Sequence, residues 1–344
     1  PRQWGARSKV CEMAPKTGVA TVDRDATQEL PLSLSLSTPS SVVRDAYAER
    51  GYVVLRGVLP DAPIERFLRA FERTKRNPYF VYYSQSLQRC MRPSLSEHGF
   101  LIESMQNASR LALHREFARS YQDCIYHPEV ARALSLVSGA QQHVSWQNML
   151  FDQSTGTVEH QDSWYLDTDP PGQLMGVWYA LEDIQEGSGP FFVCPRSHKL
   201  GLLDRAAYPE HRAFVAAVRQ MMGEHQLELE PCLLQRGDLL IWHPYLIHGA
   251  LTQSESRLSR KSFTSHFYPR GSHAKDTESK KLLSIYDHAA PRPTRTPDLY
   301  TAYRFPDVAY NALVYAKFAL DAFRSSRAFL DMGRRAYSDI GRGS

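Results

Sequence analysis

Apolar positions recur along this chain at two periods, and the change between them divides it. The early part is mostly helical in spacing. A hydroxyl at Ser40 or Ser41 caps a run through Val43, Ala46 and Tyr47 that stops at Gly51. Ile64, Phe67, Leu68 and Phe71 recur as on one helix face, which predicts a helix over 62–75. Two more helices are predicted over 109–124 and 128–138, the second opened by Pro128 and closed by Gly139. Between them Tyr52 to Leu55 reads as a buried strand, while 77–100 is rich in Tyr, Arg and Ser without a period. From 142 onward short apolar runs predict strands at 142–151, 173–181, 191–194, 232–234, 239–242 and 262–268. Glycine and proline turns such as 186–190 and 236–238 separate them, and a helical insertion at 201–229 carries Phe214, Val215, Val218 and Met222. An amphipathic helix with Val308, Ala312, Tyr315, Ala319 and Phe323 on one stripe is predicted over 307–332.

Short strands joined by tight turns, with the helices collected on the N-terminal side, predict a mainly β chain with flanking helices, an α+β architecture built on a double-sheet barrel. The organisation expected is a loose arm at 1–40, including the alternating Leu32 to Ser37, one catalytic domain at 41–270, and an extension at 271–344. The final helix offers either packing on its own domain or a homodimer or membrane-surface contact.

Composition narrows the class. With 344 residues, 42% hydrophobic and 23% charged, the chain buries a core of its own. Its 41 basic and 37 acidic residues are too evenly balanced to imply nucleic acid, although a locally basic cleft for an anion remains compatible. Five widely spaced cysteines form neither a zinc pattern nor a disulfide framework, which points to the reducing cytoplasm. No apolar run is long enough for a transmembrane segment, and the first 30 residues show no signal-peptide core.

The chemistry concentrates at His160-Gln161-Asp162. In extended chain residues i and i+2 share a face, so His160 and Asp162 can grip one divalent ion. A second histidine would complete the two-histidine, one-carboxylate set that leaves positions open on non-haem iron. Two residues compete for that role: His248, followed by Gly249, and His243, which follows a clean strand. Arg260 and Ser262 share a face two residues apart, so a guanidinium fork and a hydroxyl could hold a carboxylate together. Trp164 and Tyr165 beside the metal pair, Gln147, and Arg89 and Arg92 in the unpatterned stretch are the candidate contacts for a small-molecule substrate; the arginines suit an anionic group.

An ordered series of motifs accompanies these residues: Gly51-Tyr52-Val53-Val54, His160-Gln161-Asp162, Trp178, Gly187-Ser188-Gly189-Pro190, Gly237-Asp238-Leu239-Leu240, His243-Pro244, His248-Gly249 and Arg260 with Ser262. Over roughly 45–270 it resembles the phytanoyl-CoA dioxygenase family of Fe(II)/2-oxoglutarate oxygenases. The resemblance implies a double-stranded β-helix, or jelly-roll, core. It further implies His160, Asp162 and His248 as the iron ligands, with His248 preferred over His243, Arg260 on the distal carboxylate of 2-oxoglutarate, and Trp178 lining the co-substrate pocket. Where many relatives carry serine shortly after the distal histidine this chain has Ala250, a position for which Ser262 could substitute. The implied reaction consumes O2, converts 2-oxoglutarate to succinate and CO2, and hydroxylates an unactivated C–H bond; a carboxylate at Asp162 disfavours halogenation. Two rival readings are a catalytically silent jelly-roll binding protein and a cupin-like metalloenzyme that does not use 2-oxoglutarate.

Overall fold

The structure is a computed structural model and describes residues 34–276, 292–302 and 306–340. Most of the expected arm, with Cys11, lies outside them. Leu34 bridges in parallel to Leu55, and the first helix, α1 (Ser40–Arg50), ends at Gly51 in the left-handed conformation. There a Cβ would meet the His198 ring at 2.4 Å, so glycine serves both the turn and the close approach.

Strand β1 (Tyr52–Leu55) leads into α2 (Asp61–Lys75), whose Ile64, Phe67 and Phe71 are buried. The unpatterned stretch contains a hairpin, β2 (Tyr82–Ser84) and β3 (Arg89–Met91), and is followed by β4 (Met105–Gln106). Its strands are too short to develop a period. Helix α3 (Arg115–Ile125) starts later than its spacing predicts, behind a single 3-10 turn at Ala108–Arg110, whereas α4 (Pro128–Ser138) has the expected bounds.

The barrel follows: β5 (His143–Phe151), β6 (Leu166–Asp169), β7 (Met175–Ala180), β8 (Phe191–Val193), the inserted α5 (His211–Glu224), β9 (Glu230–Pro231), β10 (Leu239–Trp242), β11 (His248–Ala250), β12 (Ser262–Pro269) and β13 (His273–Asp276). The expected strand at 232–234 is irregular instead, with pairing confined to Glu230–Pro231, although Cys232 and Leu234 are buried. The large sheet runs β1-β10-β7-β12-β5-β4-β2-β3, the smaller one β11-β8-β9, and β13 pairs with β6. Two antiparallel sheets with apolar inner faces, among them Trp178, Phe191, Val193, Leu240 and Trp242, enclose a jelly-roll core.

The C-terminal segment is built onto this core. β14 (Arg292–Pro293) pairs with β15 (Leu299–Thr301), which lies parallel to β5. Helix α6 (Asp307–Ile340) runs past the expected end. It docks by a face other than the predicted stripe: Tyr310, Asn311 and Val314 are buried, while Val308 and Phe323 are exposed. Polar contacts set that rotation, since Asp307 meets Arg110, and the Asn311 carboxamide oxygen accepts from the Leu113 backbone N–H.

Candidate metal centre and cavity

His160 and His248 form a backbone pair before either side chain acts. Each donates its N–H to the other's carbonyl at 3.0 Å, the closed pair of an antiparallel ladder. Gln161 stays extended and Asp162 opens a 3-10 turn, so His160 and Asp162 do point the same way. Gln161 faces away from them. Its carboxamide donates to the carbonyls of Gly201 and Tyr245 and accepts from the Leu203 N–H, which fixes the segment from behind.

The donor set has a definite character. His160 Nδ1 donates to the Val158 carbonyl at 2.8 Å and His248 Nδ1 to the Leu246 carbonyl at 2.9 Å. A carbonyl only accepts, so both Nδ1 atoms carry the proton and both Nε2 atoms present a lone pair. Those Nε2 atoms lie 3.6 Å and 3.5 Å from Asp162 Oδ1. One ligand atom from each of the three residues falls within 4.8 Å of the others. Three facing acceptors with no proton between them repel unless a cation sits among them, so the residues fit a divalent metal. Burial pushes His248 down, which keeps it neutral. Burial alone would raise the Asp162 carboxyl, but His248 and His266 beside it hold it well below the usual carboxylate range.

Asp162 is held by its other oxygen. Oδ2 accepts from Trp242 Nε1 at 2.8 Å and from His266 Nε2 at 3.2 Å. The register explains how two strands reach one atom: Trp242, Gly176 and His266 lie opposite one another across β10, β7 and β12. A Cβ on Gly176 would come within 2.0 Å of the Trp242 ring, so the missing side chain makes room for the indole. Neither Trp242 nor His266 was singled out from the sequence. The available signal was alternation, because His266 shares the face of Arg260, Ser262 and Thr264.

His243 is not part of the centre. Its ring lies 5.3 Å from that of His198, 4.9 Å from that of Tyr245 and 6.1 Å from that of Tyr47, and burial with the His198 charge pushes it down to about 4.

The metal group borders a cavity of about 580 Å³. At one end Arg260 is 2% exposed, its Nη1 reaches only the Gly189 carbonyl at 3.3 Å, and its Nε is buried without a partner. The guanidinium lies 5.2 Å from the Phe151 ring and 5.8 Å from that of Trp178. No acidic side chain among the described residues pairs with it, and burial pulls it down to about 10. A buried cation with open donors suits a carboxylate ligand. Trp178 lines this end and stacks on Phe191. Ser262 shares Arg260's strand face, yet its hydroxyl donates to the Arg260 carbonyl and Thr264 takes the place beside the cavity.

Of the expected substrate contacts, Gln147 and Tyr165 line the cavity and three residues do not. Trp164 turns into the insertion, stacked 4.7 Å from Phe214 with Arg205 over its ring, and donates to the Tyr208 carbonyl. Arg92 lies over the Phe318 ring of α6, and Arg89 is exposed on β3. The same hairpin instead contributes Gln85, Ser86 and Gln88 from its tip. A hairpin alternates sides, and its tip rather than its arms reaches over the opening.

Comparison with known proteins agrees with this arrangement. The family profile described as phytanoyl-CoA dioxygenase (PhyH) matches residues 47–262. The peroxisomal phytanoyl-CoA dioxygenase of Bos taurus is 26% identical over 293 residues, covering 83% of this chain and 85% of its own. Among solved structures, the epimerase SnoN in complex with Fe3+, alpha ketoglutarate and nogalamycin RO has a TM-score of 0.54 at 17% identity, covering 76% of this chain and 97% of that one. The alpha ketoglutarate dependent carbocyclase SnoK has a TM-score of 0.51 at 18% identity, with 70% and 87% covered. At those identities the two structures speak for the jelly-roll fold.

Proposed function

The chain belongs to the phytanoyl-CoA dioxygenase family, and from that premise we propose that its cavity joins Fe(II) at His160, Asp162 and His248 to 2-oxoglutarate held at Arg260. The protein is an Fe(II)/2-oxoglutarate-dependent oxygenase. One observation carries the residue assignment: three lone-pair donors converge in a cavity that also contains a buried guanidinium with no acidic partner among the described residues.

Iron bound there supplies the activation of O2 that couples decarboxylation of 2-oxoglutarate to succinate and CO2 with hydroxylation of a C–H bond. The rest is the protein's part. The Val158 and Leu246 carbonyls set the tautomers of the two histidines, while Trp242 and His266 occupy Asp162 Oδ2 and leave Oδ1 to face them. Arg260 receives the distal carboxylate of the co-substrate as a charge-assisted pair. Trp178, Phe191 and Phe151 keep water from that pair and thereby strengthen it. Asp162 fills the carboxylate position with a side chain, which favours hydroxylation over halogenation.

The described cysteines, Cys90, Cys124, Cys194 and Cys232, are all buried and unbridged, and on that usage we assign the protein to a reducing compartment, the cytoplasm. No described helix is long and apolar enough to cross a membrane.

The test is succinate formation from 2-oxoglutarate by purified protein. It should depend on added Fe(II) and disappear in Asp162→Ala. A wild type that neither binds 2-oxoglutarate nor turns it over sinks the assignment.

A further inference from the structure

Arg260 enters the cavity just ahead of β12, and its neighbours leave on the opposite side. Phe151 stands opposite Ser262 in the register of β5 and β12, and the Arg260 guanidinium lies against the Phe151 ring, so both face the cavity. Successive side chains of extended chain point to opposite faces, which turns Asp152 and Lys261 away from it. Neither lines the cavity, and Lys261 Nζ stands 3.7 Å from Asp152 Oδ1. Asp152 Oδ2 accepts from Lys75 Nζ, at the end of α2, at 2.7 Å and from the Leu101 N–H at 2.8 Å. Lys75 and Asp152 are both buried, and Lys75 also meets Glu72 at 2.7 Å. Beside β7, Glu182 Oε1 accepts from the Lys261 N–H at 2.7 Å, while Oε2 takes the Ser259 hydroxyl at 2.9 Å and the Lys261 ammonium at 3.3 Å. The Arg260 N–H itself donates to the Asp152 carbonyl at 2.8 Å. Ser259, Arg260 and Lys261 are therefore all held from the face away from the cavity.

We propose that Lys75, Asp152, Glu182 and Lys261 form a clamp of positioning residues for the co-substrate, fixing the backbone at 259–261 so that the Arg260 fork meets the distal carboxylate of 2-oxoglutarate. The inference rests on the assignment of that carboxylate to Arg260 made above. The side chain of Arg260 has little else to aim it: Nη1 reaches only the Gly189 carbonyl, and Nε is without a partner. Its direction is inherited from its backbone. A guanidinium–carboxylate pair is geometrically strict, so a displaced Cα weakens it before it disturbs the fold. A buried ion pair such as Lys75 with Asp152 contributes little net stability, because desolvation offsets its attraction. What its charge-assisted hydrogen bonds add is direction, and here the direction they fix is that of the strand end bearing Arg260.

The test uses the full-length protein and two variants. Glu182→Ala is chosen because Glu182 is only partly buried and its donors can turn to water. Asp152→Asn keeps an acceptor for the Leu101 N–H but removes the charge between two lysines. Anaerobic calorimetry of 2-oxoglutarate into the Fe(II)-loaded protein should show its affinity lowered by about tenfold in each, since misplacement by ~1 Å can cost up to about 100-fold. The KM for 2-oxoglutarate in succinate formation should rise in step, while kcat at saturation and Fe(II) affinity stay within about twofold of wild type. Glu182→Gln, which retains one acceptor, should recover part of the loss. In the metal-free protein, amide hydrogen exchange over 259–261 should be faster by about tenfold or more in Glu182→Ala. Wild-type affinity for 2-oxoglutarate in either variant overturns the proposal, as does a joint fall of kcat, iron affinity and 2-oxoglutarate affinity that follows the urea midpoint. Arg260→Ala reports separately on the premise. If it too binds 2-oxoglutarate like wild type, the co-substrate assignment fails and the clamp with it; if it alone loses affinity, only the clamp fails.

Discussion

At the iron end of the cavity the polar atoms are held by strands or by second side chains in the interior, whereas Gln88 and His211 stand exposed on a hairpin tip and a helix start, tied to Tyr83, Gln85 and Tyr165 beside them. Asp162 is tied by Trp242 and His266, its neighbouring histidines by the Val158 and Leu246 carbonyls, and all of these lie on or beside paired strands. Besides Gln106 of β4 and Gln147 of β5, the outer wall draws on three separate excursions: the 82–91 hairpin, the loop at 154–158 and the insertion containing α5. Such segments tolerate substitution and reshape a site without disturbing the scaffold. The difference teaches that chemistry and substrate choice are carried by distinguishable parts, tied together where Gln161, Trp164 and Tyr165 reach from the metal segment into the insertion and where Arg219 of α5 pairs with Glu159.

The largest expected effect lies at the centre itself. Asp162→Ala should abolish succinate formation and weaken Fe(II) binding by more than the ~100-fold typical of losing a supporting contact; titration calorimetry under anaerobic conditions measures it. Unaltered iron affinity would mean that the constrained end has been misplaced. Next, Arg260→Ala should raise the KM for 2-oxoglutarate, because removing one partner of a desolvated pair costs about 2–5 kcal/mol, roughly 30-fold to several thousand-fold. A KM within error of wild type would point instead to a metalloenzyme that does not use this co-substrate.

Trp242→Phe keeps a ring over Gly176 but removes the donor to Asp162 Oδ2, and a loss of about 10–100-fold in iron affinity is expected. Phe214→Ala opens the packing between Trp164 and the insertion and should cost about 3–5 kcal/mol in urea unfolding. If iron affinity falls with it, the two ends are more tightly coupled than their construction suggests. The smallest effect belongs to His243→Ala, which should leave iron affinity at the wild-type value because its ring packs against His198 and Tyr245. A drop there would restore His243 as a ligand.

Much of this is legible in the sequence. The metal pair could be read because two-residue alternation in extended chain is local, and Gln161 preserves it. Arg260 was legible chiefly through the family resemblance, since by position it stands in a basic stretch from Arg257 to Lys261. The choice between His243 and His248 was open in the spacing and went to His248 only through the family resemblance; both follow β10, and the pairing of His248 with His160 sets it beside Asp162. The substrate arginines failed on a similar point. Arg92 and Gln88 stand four residues apart on one hairpin, and the placing of Phe318 in a distant helix decides that the arginine packs outward while the glutamine reaches the opening. For α6, hydrophobic spacing alone suggested one stripe, but Asp307 and Asn311 dock with Arg110 and Leu113 and turn another face inward.

By itself, then, the sequence determined what depends on neighbours along the chain: the helices capped by Gly51 and Gly139, the strands and their turns, the shared face of His160 and Asp162, and the ordered motifs of the family. Tertiary structure alone decided what depends on distance across it: how the pairing of His248 with His160 brings it to Asp162, how Trp242 and His266 converge on one carboxylate oxygen over Gly176, and which residues of the hairpin tip and the insertion line the cavity. Local preferences come from a residue's own dihedrals and side-chain period, while convergence comes from strand register and loop closure, which no short window of sequence contains.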